Sequence, residues 1–147
     1  MRRAGGMLAA TILAMGLSAC SKPSAAVQIE SARAQLSPIA GGSGAVYLTI
    51  RNTTPVADRL VSVDATVAKH VELHEVVKEG EMMRMVPHPE GFVVPAGGSV
   101  ELTPGGKHIM LFDALSADEA GANVKLTLHF EKAGALAVSA PVAKNGS

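Results

Sequence analysis

Apolar and polar residues alternate along most of this chain with the period of two that marks β-strands. Val27 to Leu36 reads as a first, alanine-rich strand. Ala45 to Ile50 is a stronger one, and Asp58 to Val63 a third, with Leu60, Ser62 and Asp64 alternating against Val61 and Val63. Val67 to Val77 is ambiguous, because His70 and His74 are four apart and would share a helix face. Its valine-rich neighbours favour a strand instead, with Val71 and Leu73 on one face and Glu72, His74 and Val76 on the other. Glu79-Gly80-Glu81 reads as a hairpin turn into Met82 to Val86, which Pro87 and Pro89 end. Further strands come at Phe92 to Pro95, Ser99 to Leu102, His108 to Phe112, Asn123 to Phe130 and Ala135 to Val142. Leu115 to Ala122 predicts a helical turn or a loop. So many short strands, separated by turn signals, predict an all-β fold, an antiparallel β-sandwich or barrel.

Composition adds limits. The chain has 147 residues, 48% of them hydrophobic but only 3% aromatic and none of them tryptophan, so the core must be aliphatic. A net charge of zero gives no reason to expect nucleic acid or an anionic membrane surface as a partner. The first residues differ in kind. Arg2 and Arg3 precede an apolar stretch, Met7 to Leu17, too short for a comfortable transmembrane helix, and then Leu17-Ser18-Ala19-Cys20. This predicts a lipoprotein signal peptide over 1–19, a lipidated Cys20 with a small polar tether over 20–26, a folded domain over 27–142 and a polar tail over 143–147. The expected location is the periplasm, with membrane contact only through the lipid anchor. Cys20 is the sole cysteine, so an intramolecular disulfide is ruled out.

The candidate chemistry centres on His108-Ile109-Met110-Leu111-Phe112. On a strand, His108, Met110 and Phe112 share a face, and the Cα atoms of His108 and Met110 lie roughly 6.5–7 Å apart. An imidazole beside a thioether suits a soft, thiophilic metal, with Cu(I) the leading candidate. Ten residues (75 to 84) separate His74 from Met85, and twenty-two (86 to 107) separate Met85 from His108. These spacings let three strands converge on one set, His74, Met85, His108 and Met110. Thioethers carry no proton, so proton competition falls on the imidazoles, and a set without thiolate avoids oxidation outside the cytoplasm. Met83 shares the face of Met85 and is the alternative to it. His88 is a candidate extra nitrogen donor for Cu(II). His70 and His129 read as surface residues.

Other chemistries fit less well. His70-Val71-Glu72-Leu73-His74 has its Glu one place too late for a metalloprotease motif, and a strand would hold the two His roughly 13 Å apart. A blue-copper electron carrier needs a Cys ligand, and the only Cys is Cys20, at the end of the leader. There is no glycine-rich phosphate loop and no serine nucleophile motif, so the chain does not read as an enzyme.

The same residues resemble those of the PCu(A)C family of periplasmic copper chaperones. Val71-Glu72-Leu73-His74, then Met85, then Gly105-Gly106-Lys107-His108-Ile109-Met110-Leu111 keep the family's His, Met, His-x-Met order, with the second spacing one residue longer. Pro95-Ala96-Gly97-Gly98 and Leu126-Thr127-Leu128-His129-Phe130-Glu131 match as well, and the likeness covers roughly residues 27 to 142. The resemblance implies a cupredoxin-like, Greek-key β-sandwich holding one copper at His74, Met85, His108 and Met110, near one end of the sandwich. It further implies the copper-bearing subunit of cytochrome c oxidase as recipient, at its binuclear copper centre, with thiol-containing copper-transfer proteins as co-workers. The alternatives are a copper-resistance or storage protein and a structural β-sandwich lipoprotein without metal.

Overall fold

Alternation decides the fold, because each strand must bury one face. The computed structural model describes residues 26–143. The leader, Cys20, most of the tether and most of the tail lie outside the described residues. In chain order the elements are β1 (Val27–Leu36), β2 (Gly42–Asn52), β3 (Asp58–Ala65), β4 (His70–Glu79), β5 (Met82–Pro87), β6 (Phe92–Val94), β7 (Ser99–Leu102), β8 (Lys107–Ala114), α1 (Ala117–Ala120), β9 (Asn123–Phe130) and β10 (Gly134–Pro141). Each expected strand forms; β1, β7 and β9 keep their expected bounds, β4 starts at His70 rather than Val67, and β6 ends at Val94 rather than Pro95.

The strands make two sheets. The larger has the order β1-β2-β8-β4-β5, with β7 also pairing β2, and the smaller has β10-β9-β3-β6. All the strand pairs are antiparallel. β7 and β8 use successive parts of one edge of β2, joined by a tight turn in which Thr103 N donates to Lys107 O at 2.9 Å. The core lies between the sheets. Val46, Leu48, Ile50, Leu73, Ile109 and Leu111 come from the larger sheet, and Leu60, Val63, Val124, Leu126, Leu128 and Phe130 from the smaller. Each such side chain contributes about 1.5–3 kcal/mol on burial.

Simple alternation fails on β3. The register shifts between Leu60 and Ser62, so Leu60 and Val63 are both buried while Val61 and Ser62 face out. A bulge inserts one residue and switches the face of every residue after it. β6 lies close beside this strand. Gly91, at φ +78°, has no room for a side chain, because a Cβ would fall 2.0 Å from Leu60 O. The β4–β5 hairpin turns through Gly80-Glu81, with Gly80 at φ 63°, the left-handed geometry that glycine supplies without strain.

The segment after β8 resolves into one helical turn. Ser116 caps it, accepting from Glu119 N at 3.3 Å, while the Glu119 carboxylate accepts from Ser116 N at 2.9 Å. This reciprocal pair satisfies two otherwise orphaned donors. Ser116→Ala is expected to cost about 1 kcal/mol of stability, read from the thermal or urea unfolding midpoint.

Candidate metal centre

Ile109 and Leu111 of β8 are fully buried in the core. Their neighbours His108, Met110 and Phe112 therefore sit on the outer face of the larger sheet. β4 runs antiparallel beside β8, so His74 stands opposite His108, Glu72 opposite Met110 and His70 opposite Phe112. On the other side of β4, β5 places Pro87 opposite His74, Met85 opposite Val76 and Met83 opposite Lys78. Paired residues share a face, so both histidines and both methionines of the expected set lie on one face of three adjacent strands. Met83 shares it too, but Met85 is one pair step nearer the two imidazoles.

The set has an inner and an outer part. His74 is 8% exposed and His108 4%, although they sit on an outward face. Their ring centroids are 5.9 Å apart, and Phe112 lies 5.8 Å from His74. Tyr47, from β2, stands 6.4 Å from His108. Met85 is 47% exposed, and Met110 is half-buried. Met85, His108 and Met110 line one open concavity of about 510 Å³, together with Tyr47 and Val76. This concavity lies on the outer face of the larger sheet, and His74 is not among the residues that line it.

Each imidazole has one nitrogen engaged. His108 Nδ1 lies 3.0 Å from Gly106 O. A carbonyl only accepts, so Nδ1 carries the proton and Nε2 keeps a free lone pair. His74 Nε2 lies 2.7 Å from a Glu72 carboxylate oxygen, while His74 Nδ1 is buried and has no hydrogen-bond partner among the described residues. The other Glu72 oxygen lies 2.7 Å from His70 Nε2. Hydrogen bonds from His74, then from His70, hold the Glu72 carboxyl below the ordinary carboxylate range.

His88 is not part of this set. Its backbone N donates to Leu73 O at 2.7 Å, so it continues the far face of the sheet. Its Nε2 pairs with Glu75 at 2.8 Å and its Nδ1 with Glu90 at 2.9 Å. Both nitrogens are taken, and the expectation of an extra donor fails on position as well. Glu75 also binds Lys107 at 2.9 Å, which is the main cause of its lowered pKa. His129 pairs with Asp64 on the smaller sheet, far from the set. Among the described residues no three His, Cys, Asp or Glu side chains gather where they could hold an ion. Beside His74 and His108, the soft donors on the same face are the thioethers of Met85 and Met110. Glu72 is a residue of this face that ligand spacing alone misses. Its signal is present in the chain, since it lies two residues before His74 on the same strand face.

A family model described as "Putative lipoprotein LpqE-like" matches residues 27–142. The chain belongs to the LpqE-like family. A relative from Leifsonia xyli subsp. xyli (strain CTCB07), "Putative lipoprotein Lxx21020", is 34% identical over 105 residues, 70% of this chain. The match spans only 63% of that relative's length. Among solved structures, the LpqE-like chain is similar to the copper-bound PCuAC domain from PmoF2, at TM-score 0.63 and 25% identity over 80% of this chain and 92% of that one. It is also similar to apo-DR1885 from Deinococcus radiodurans, at TM-score 0.61 and 26% identity over 97% of each chain. The copper(I) form, CuI-DR1885, aligns at TM-score 0.59 and 25% identity over 88% of this chain and 84% of that one. The resemblance read from the sequence and the cupredoxin-like β-sandwich are thus both shown. Among the described residues of this LpqE-like chain, no helix is long and apolar enough to cross a membrane.

Proposed function

We propose that this LpqE-like protein is a metallochaperone that binds one Cu(I) through His74, Met85, His108 and Met110 and passes it on. The observation that carries the reading is the register, with His74 directly opposite His108 and two thioethers on the same face beside them. Copper here is cargo. Two imidazoles and two thioethers are all neutral donors, soft enough for Cu(I) and free of the thiolate that an oxidising compartment would consume. Exposed Met85 and half-buried Met110 form the open side, where a recipient's thiolates can enter and displace them one at a time. The similarity to PCuAC domains solved with copper supports the same reading.

The leader and Cys20 support a domain outside the cytoplasm, tethered by lipid to a bacterial membrane and facing the periplasm. The recipient is the binuclear copper centre of cytochrome c oxidase, with thiol-containing copper proteins acting alongside. The protein binds and transfers, and catalyses nothing. X-ray absorption on the Cu(I)-loaded protein is expected to show both sulfur and nitrogen scatterers. A spectrum with nitrogen and oxygen alone overturns the ligand set. Deleting the gene is expected to lower oxidase activity; lost copper tolerance with normal oxidase would assign the protein to storage instead.

A further inference from the structure

We propose that Glu72 is a positioning residue for the copper site: it holds the His74 ring so that Nδ1, and not Nε2, is the nitrogen offered to the metal. The inference rests on the copper reading above and deepens it. It begins from the one-sided engagement of each ring. A carboxylate accepts and does not donate, so the 2.7 Å contact puts the proton of the neutral ring on His74 Nε2. The lone pair is then on Nδ1, the buried atom without a partner. A buried acceptor left unpaired is costly, and a metal bond at Nδ1 removes that cost. His74 has no other free donor atom to give.

The two imidazoles therefore present different atoms. His108 is held by Gly106 O through Nδ1 and offers Nε2. His74 is held through Nε2 and offers Nδ1. Because the two stand directly opposite across β8 and β4, this difference lets both lone pairs address a shared point from adjacent strands. Glu72 is itself held from behind. His70 Nε2 binds its second oxygen at 2.7 Å, and the His70 ring lies 5.9 Å from Phe112. The chain His70, Glu72, His74 thus runs along one face of β4 at steps of two residues, each member fixing the next. A carboxylate behind a metal-binding imidazole also raises its basicity and limits its rotation, and losing such a partner typically costs about 10–100-fold in metal affinity.

The test uses wild type, Glu72→Ala and Glu72→Gln. Long-range ¹H–¹⁵N correlation spectra of the copper-free protein read the His74 tautomer, and competition with a Cu(I) chelator reads affinity. Wild type is expected to show the proton on Nε2 of His74 and on Nδ1 of His108. Glu72→Ala should lose the His74 preference and bind Cu(I) about 10- to 100-fold more weakly. The amide of Glu72→Gln still offers an oxygen to Nε2–H, so this variant should keep the tautomer and recover most of the affinity. His108 should be unchanged throughout, which separates a local effect from a damaged fold. An unchanged His74 tautomer in Glu72→Ala, or a changed tautomer with wild-type affinity, overturns the inference. If wild type itself fails to bind Cu(I), the copper reading falls, and the copper-free spectra still decide whether Glu72 sets the ring.

Discussion

His108→Ala is expected to lower Cu(I) affinity by about 100-fold or more, since losing even an outer partner of a ligand costs about 10–100-fold. The residue is 4% exposed, and its Nδ1–H is committed to Gly106 O. Its truncation removes a proposed ligand whose orientation the turn before β8 already fixes. The stability cost should be about 2–4 kcal/mol, because the truncation loses one hydrogen bond and the packing of a nearly buried ring, while Ile109 and Leu111 face the other way and keep the core intact. Met110→Ala should weaken binding in the same direction. Met85→Ala should do so with almost no effect on folding, since Met85 is 47% exposed. Met83→Ala is the control, one pair step further from the imidazoles, and should bind as wild type does. Competition titration against a Cu(I) chelator, alongside a thermal unfolding scan, measures both sides. Wild-type affinity in His108→Ala, or equal losses in Met83→Ala and Met85→Ala, would sink the assignment.

Much of this geometry was legible from parity alone. Alternation puts His108, Met110 and Phe112 on one face of β8, and His74 on the same kind of face of β4, without any coordinates. Parity also contained the answer for His88. Counting on from Met85, residue 87 shares its face and residue 88 does not. The two prolines concealed this, because they suggested that the strand ended before Pro87, whereas β5 runs through it. What alternation cannot supply is register. That His74 meets His108 rather than Met110 depends on the length of the β7–β8 turn and the pairing of β4, both set by tertiary contacts. The same holds for Met85 against Met83. The bulge on β3 was hidden too, since Leu60 and Val63 become core partners only when an extra residue shifts the face. The orientation of His74 by Glu72 needed side-chain coordinates, because Glu72 could equally have turned to solvent.

Asp58→Ala is expected to destabilise the domain by about 3 kcal/mol, because it removes the charged acceptor that three part-buried backbone N–H groups share. Asp58 opens β3 and is only 7% exposed. One carboxylate oxygen accepts from Arg59 N at 2.7 Å and Lys132 N at 2.9 Å, and the other from Ala133 N at 2.9 Å. A single side chain thus ties the β9–β10 turn to the start of β3. Burial by itself raises the pKa of this carboxyl, but the three backbone donors and the Lys132 charge outweigh it and leave the pKa below its ordinary value of 3.8. The unfolded state therefore binds the proton more readily than the folded one. The stabilisation is fully present above the ordinary value and is lost as pH falls through the lower, folded one. Wild-type stability should fall as pH drops below the ordinary value of 3.8 and the carboxylate takes up its proton. Asp58→Asn, which has no charge to lose, should start lower at neutral pH and show a flatter fall over that window. Urea unfolding at a series of pH values reads both slopes. Parallel curves for the two proteins would show that Asp58 does not govern the acid limb, and that the β9–β10 turn is held to β3 by other means.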